Sequence, residues 1–415
     1  MRNMLVGLSL ISLVSVSAAT EAVTEKDVVN GYADLAHTIY EDTLLTAQQL
    51  QNSIDTFLAD PSHDKLVAAQ KAWIAARRPY QQSEAFRFGH SIVDEKDLRL
   101  NSWPLDEGFI DYVDDSYLGE LGNSGATANI IASKSLTLGA KEYDLSVLSP
   151  ELLEQLNEFG GSEANVATGY HAIEFLLWGQ DLYGTELGAG ERPYTDFIIG
   201  DACTNGNCDR RRDYLLAATK LLVSDIAYLE AQWAPKQDNY RAAFVSLSTN
   251  EALSRILFGM GSLAFGELAG DRMRVALEAN SPEDENDCFS DNTHNGYFDN
   301  AKAIVNVYTG EYQRSTGQLF STDSLAELVA QKNPDLAQKM QHQLADTQAK
   351  FQAMVNAAED KTSPMKFDQM IAEGNDRGVA LINNAIASLA QETALIEQVA
   401  ATLGIDNLNP DLAAE

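Results

Sequence analysis

The sequence predicts an all-α protein built from two packed helical-bundle domains. Three observations lead there. Apolar residues recur at the three-and-four spacing of a helix along most of the chain. Strand-like alternation is scarce. A chain of 415 residues with 45% hydrophobic content can bury a large core divided between two domains.

The elements follow in order. Residues 1–19 hold Arg2, an apolar run from Met4 to Val16 and then Ser17-Ala18-Ala19, the pattern of a secretory leader cut near Ala18 or Ala19. The run is too short to anchor the chain in a bilayer. No later segment has 18 uninterrupted apolar residues, so the exported chain is expected to be soluble. A helix is predicted over residues 26–58, stopped by Asp60-Pro61, because proline lacks the N–H and clashes with the preceding turn. Another covers 63–88 through Leu66, Trp73 and Ala76. Residues 89–161 lack regular spacing and carry Gly, Ser and Asn turns around Trp103-Pro104-Leu105-Asp106-Glu107-Gly108. An apolar helix around His171 follows. Residues 180–209 read as loop, and place the boundary between an N-terminal domain over 20–200 and a C-terminal domain over 201–415. Helices are predicted over 209–235 and over 250–279, where Gly259, Gly261 and Gly266 weaken the middle. Residues 281–300 are acidic and irregular. Helical spacing resumes over 301–308, 321–331, 334–358 and 364–403, with an interruption around Gly374.

Charge and cysteine narrow the function. A net charge of -32 makes nucleic acid an unsuitable partner. The field attracts cations without specifying a site. Cys203 and Cys208 enclose the turn-forming Thr204-Asn205-Gly206-Asn207, which in an exported chain points to a disulfide over a metal pair. Cys288 is left over. There is no Cys-x-x-Cys pair to support a zinc ribbon or a thioredoxin-like site.

The chemistry concentrates in Gly169-Tyr170-His171-Ala172-Ile173-Glu174, which runs on into Phe175-Leu176-Leu177-Trp178. Residues at i and i+3 share a helix face, so His171 and Glu174 converge on one point. The neighbouring positions are apolar on every face, so the helix is expected to be buried all round. A carboxylate there needs a metal, a counter-ion or a proton. Of the six histidines only His171 has an acidic residue at i+3. The plain alternative is a buried polar pair that satisfies itself. His-Glu-x-x-His and its inverted form are absent, as are the Gly-x-Ser-x-Gly elbow, the phosphate-binding glycine loop and the dinucleotide glycine fingerprint. His171 and Glu174 supply two ligands at most, so others must come from elsewhere. Glu84, flanked by Tyr80 and Phe88, is one candidate, with an ion pair to Arg87 as its alternative. Asp106 is another, with a helix N-terminal carboxylate as its alternative. In Cys288-Phe289-Ser290-Asp291-Asn292-Thr293-His294 a second histidine lies near a carboxylate, readable also as an Asx-turn or helix cap.

At these residues the sequence resembles the imelysin family. The resemblance rests on Gly169-x-His171-x-x-Glu174, on Arg78-Pro79-Tyr80 to Arg87-Phe88, on the run from Trp103 to Val113, on Cys288 to His294, and on Asn306-Val307-Tyr308-Thr309-Gly310-Glu311-Tyr312. It implies a two-domain helical-bundle fold, a bacterial envelope location in the periplasm of a Gram-negative cell, and a link to iron uptake. It also implies that Gly169, His171 and Glu174 are the functional element. Three functions stay open. One is a non-catalytic protein binding iron, zinc or an iron-containing ligand. The second is a metallopeptidase, for which the sequence has no complete catalytic motif. The third is an interaction protein docking on an envelope partner, with the pair as a structural pin.

Overall fold

Thr24 opens the first helix through a reciprocal cap: its hydroxyl accepts from the Asp27 N–H at 3.2 Å, and the Asp27 carboxylate accepts from the Thr24 N–H at 3.0 Å. The computed structural model describes residues 22–117, 119, 122–138, 140–405 and 408. The expected leader, residues 1–19, lies outside them. Helix α1 (Glu25–Ala59) buries Val29, Ala33, Ala36, Tyr40, Ala47, Leu50, Ile54 and Phe57, a three-and-four alternation that fixes one face inward. That face packs on α2 (His63–Ser83) and, from far along the chain, on α7 (Cys208–Trp233). Past Pro79 α2 tightens into a 3-10 turn, Glu84–Phe86.

The stretch over 89–161 is more regular than its turn residues suggest. It holds α3 (Ser91–Leu100), α4 (Glu107–Ile110), a hairpin of β1 (Ser135–Leu138) and β2 (Lys141–Asp144), and α5 (Pro150–Leu156). These elements are too short for a periodic signal. Next comes α6 (Gly169–Trp178), all ten residues of which are buried, as expected from its unbroken apolarity. A 3-10 turn at Tyr194–Phe197 and the Cys203–Cys208 disulfide shape the following loop. Helix α7 begins after the expected 200/201 boundary, yet packs on α1, α5 and α6.

Helix α8 (Tyr240–Ser246) still packs on α1 and α7; the second bundle contains α9 (Thr249–Gly261), a π-helical segment (Ser262–Arg274), α10 (Val275–Ala279), α11 (Thr293–Thr309), α12 (Leu325–Lys332), α13 (Pro334–Ala358), α14 (Phe367–Ile371) and α15 (Asp376–Thr402), with a β3 (Glu311–Gln313)/β4 (Leu319–Ser321) hairpin. The glycines over 250–279 do not break the helix, which runs on from α9 through a π-helical segment into α10. At Gly259 an added Cβ would lie 2.5 Å from the carbonyl oxygen of Ala85, so only glycine lets α9 touch the turn after α2. Helix α11 starts eight residues before the expected 301, because polar residues such as Thr293, His294 and Asn300 are buried in it. Two helical stretches, Thr249–Ala279 and Asp376–Thr402, are long and apolar enough to cross a membrane by length and composition. Here they pack against one another. Because α2 lies on α11 and α1 on α9, both bundles share one continuous apolar core.

Candidate metal centre

Gly169 sets the geometry of the centre. Its φ is +80°, and a Cβ there would sit 2.6 Å from the carbonyl oxygens of both Arg99 and Leu100. Thr168 adds a hydrogen bond from its hydroxyl to Arg99 O at 2.9 Å. The start of α6 is thereby pressed against the end of α3, which brings Asn101 to His171. Gly169 acts through its backbone and contributes no donor atom from a side chain.

From α6, His171 and Glu174 meet as their spacing requires: Nδ1 lies 2.9 Å from Oε2 of Glu174. The other ring nitrogen, Nε2, is 3.1 Å from Oδ1 of Asn101. That oxygen also accepts from Nη1 of Arg77 at 2.6 Å, which fixes the amide orientation. On the far side Oε1 of Glu174 accepts from the Ser290 hydroxyl at 2.7 Å and the Ser290 N–H at 3.0 Å. The loop carrying Ser290 also carries Asp287, whose Oδ1 accepts from Nη2 of Arg77 at 2.6 Å and whose Oδ2 accepts from Asn292 at 2.8 Å. Arg77 is caged by the rings of Trp73, Tyr80 and Tyr170, 5.1–5.7 Å from their centroids.

Protonation follows from these contacts. Burial, helped by the positive charge of Arg77, pulls His171 down to about 3, so the ring is neutral at ordinary pH. A neutral imidazole carries one hydrogen. Asn101 Oδ1 can only accept, so the hydrogen is on Nε2 and Nδ1 must accept. The hydrogen in the contact with Glu174 therefore belongs to Glu174. Its carboxyl is pushed well above the usual range by burial and then by the neighbouring Asp287. Burial also raises Asp287, but Arg77 and the other partners outweigh it and hold that carboxyl below its ordinary value. The resting centre is thus one ion pair, one neutral acid and one neutral imidazole.

One imidazole and two carboxylates can each aim a ligand atom at a common point: such atoms of His171, Glu174 and Asp287 lie within 4.8 Å of one another. Among the described residues they are the group that does so. The donor set suits iron, and zinc nearly as well. Among the described residues, two buried amide nitrogens beside it, Asn101 Nδ2 and Asn286 Nδ2, have no hydrogen-bond partner and could bond an oxygen of a ligand or water.

A family model described as imelysin, peptidase M75, matches residues 36–396. The chain belongs to the imelysin family. It is 23% identical over 344 residues to iron-regulated protein A of Synechococcus elongatus, covering 80% of this chain and 77% of that relative. Its fold resembles the crystal structure of a putative iron-regulated protein A precursor from Parabacteroides distasonis, with a TM-score of 0.66, 20% identity, and 93% and 97% of the two chains covered. It also resembles an imelysin-like protein from Psychrobacter arcticum, with a TM-score of 0.59, 16% identity, and 93% and 99% covered.

In this imelysin the remaining expected ligands have other partners. Glu84 pairs with Arg272, which is also held by Glu267 at 2.9 Å and Asn300 at 2.6 Å. The turn that ends α2 points it toward the π-helical segment, and the expected pair with Arg87 gives way to Arg272. Asp106 precedes α4 and accepts from the hydroxyl of Tyr117 at 2.6 Å and from the Asn123 amide. The carboxylate beside His171 and Glu174 is instead Asp287. His294 is turned away and bonds Glu359 at 2.8 Å. Asp287, Arg77, Asn101 and Ser290 were not legible as site residues, although Asp287 adjoins the Cys288–His294 run and Arg77 the Pro79-Tyr80 run.

Proposed function

We propose that this imelysin is a periplasmic protein of iron uptake that binds iron, or a ligand containing it, through His171, Glu174 and Asp287 without catalysing a reaction. The observation that carries the reading is the convergence of these three donors from α6 and from the loop before α11, 116 residues away by the Glu174–Ser290 hydrogen bond. Bound iron would be held by the imidazole and the two carboxylates. The protein's own residues would orient the donors: Asn101 positions the ring, Ser290 and Asn292 fix the carboxylates, and Arg77 holds Asp287 ionised. The names of the relatives from Synechococcus elongatus and Parabacteroides distasonis supply the iron connection. Residues 1–19 and the disulfide support an oxidising, exported location.

The family model carries a peptidase designation. Peptide hydrolysis would need main-chain access, and His171, Glu174 and Asp287 are at most 1% exposed. A second reading, a structural pin, draws support from the saturated bonds of Glu174 and the Arg77–Asp287 pair. Titration of the metal-free protein with ferrous iron and zinc separates these readings. Metal binding that disappears in the His171→Ala, Glu174→Ala double variant supports the metal centre. A double variant that only loses melting temperature, with metal having no effect on either protein, supports the pin. Cleavage of insulin chains, abolished by chelation and restored by metal, would establish the peptidase.

A further inference from the structure

His171, Glu174 and Asp287 are buried, so a metal that reaches them needs a way in. Trp103, on the loop joining α3 to α4, touches both the centre and a cavity. Its ring centroid lies 6.3 Å from that of His171. The guanidinium of Arg272 sits over the same indole at 4.9 Å. Trp103 also lines a cavity of about 660 Å³, whose rim includes the exposed Pro104, Glu163 and Leu182. Seven of the side chains lining that cavity are carboxylic acids, among them Asp106, Glu107, Asp181 and Asp284. Among the described residues no lysine, arginine or histidine lines it. Burial and then the charge of Glu283 push Glu107 up to about 8, which marks its part of the cavity as short of positive charge.

We propose, on the footing of the metal centre proposed above, that this cavity is the entry chamber for a hydrated divalent cation and that Trp103 is the movable wall between it and His171. The volume is room for an ion with its first water shell, since each water takes about 30 Å³. A cleft lined by one sign of charge concentrates ions of the other sign and speeds their arrival. The cavity of about 460 Å³ against Trp178, at the other end of α6, suits a cation less, because Arg192 lines it. Trp103 is held shut by a cation–π contact that a rotation of the indole breaks. Arg272 stays in place when that happens, fixed by Glu84, Glu267 and Asn300. Opening therefore exposes the His171 ring to the chamber without disturbing the buried ion pairs behind it.

The test compares the full chain, Trp103→Ala, Trp103→Phe and the Glu163→Gln, Asp284→Asn double variant. Each is mixed anaerobically with ferrous iron in a stopped-flow instrument, and the iron is then withdrawn by a coloured chelator. Thermal melts check that each protein is folded. Trp103→Ala should speed both loading and release about tenfold and leave the Kd within about threefold, because the ring is a barrier and not a ligand. Trp103→Phe keeps an aromatic face for Arg272 and should fall between, and it carries the comparison if the alanine variant does not fold. The Glu163, Asp284 double variant should load about three- to tenfold more slowly and release at the rate of the full chain. Iron that enters and leaves the Trp103 variants at the rates of the full chain overturns the chamber. So does loading of the acid variant at the unaltered rate. Both results leave the metal centre standing, whereas the absence of iron binding in all four proteins removes the centre and the chamber with it.

Discussion

Glu174 is the residue on which the proposed metal binding at the centre turns. Because burial and Asp287 keep its carboxyl protonated, an incoming cation must displace that proton, whereas the already neutral His171 has none to lose on the accepting nitrogen. Affinity is therefore expected to fall as pH falls and to release about one proton per metal, measurable by calorimetry in buffers of different ionisation enthalpy. Asp287 differs: it is ionised and its partner Arg77 is 1% exposed. Asp287→Asn leaves an uncompensated buried guanidinium and should cost about 3–5 kcal/mol in chemical denaturation. At this scale the sequence was half legible. His171 and Glu174 could be paired because a helix makes their spacing local. Asp287 and Asn101 reach them only through tertiary packing, and no local period records that.

Helices were most legible where burial is one-sided and repeated, as in α1 and α13. They were least legible where polar side chains are themselves buried. The first turns of α11 read as loop because Thr293, His294 and Asn295 look like solvated residues, yet Thr293 Oγ1 accepts from the Asp287 N–H at 2.8 Å and His294 bonds Glu359. The π-helical segment was read as a weakened α-helix, since glycines signal irregularity without specifying a wider turn. Its function is visible in register: Glu267 and Arg272, five residues apart, meet on one face at 2.9 Å. In α15, Glu392 is 1% exposed, and burial pushes it up to about 8, with Thr347 pulling the other way. An acid whose folded value is raised stabilises the fold most below its unfolded value of 4.5, and that contribution is lost as pH rises through about 8. Glu392→Gln should remove this dependence. Relative to the unaltered chain its stability should gain about 3–5 kcal/mol between pH 5 and pH 9, read from denaturant midpoints at the two values.

Across the whole molecule, two bundles of helices share one core, with α2 against α11 and α1 against α9. Shared burial couples their unfolding, so calorimetry is expected to show a single transition; two resolved transitions would mean that the bundles fold separately. The all-α class was open to sequence because periodicity is a long, repeated signal. The assignment of α7 to the first bundle was not, since a glycine-rich loop with a disulfide marks a break in the chain but not in the core. The centre lies where this assembly brings α2, α3 and α6 against the loop before α11, so it exists only in the folded whole. The most direct test is an anaerobic titration of metal-free protein with ferrous iron, read by calorimetry against the His171→Ala, Glu174→Ala double variant. One ion bound per chain with proton release, absent from a folded double variant, is the expected result. No binding, or equal binding to both proteins, would contradict a metal centre at His171, Glu174 and Asp287.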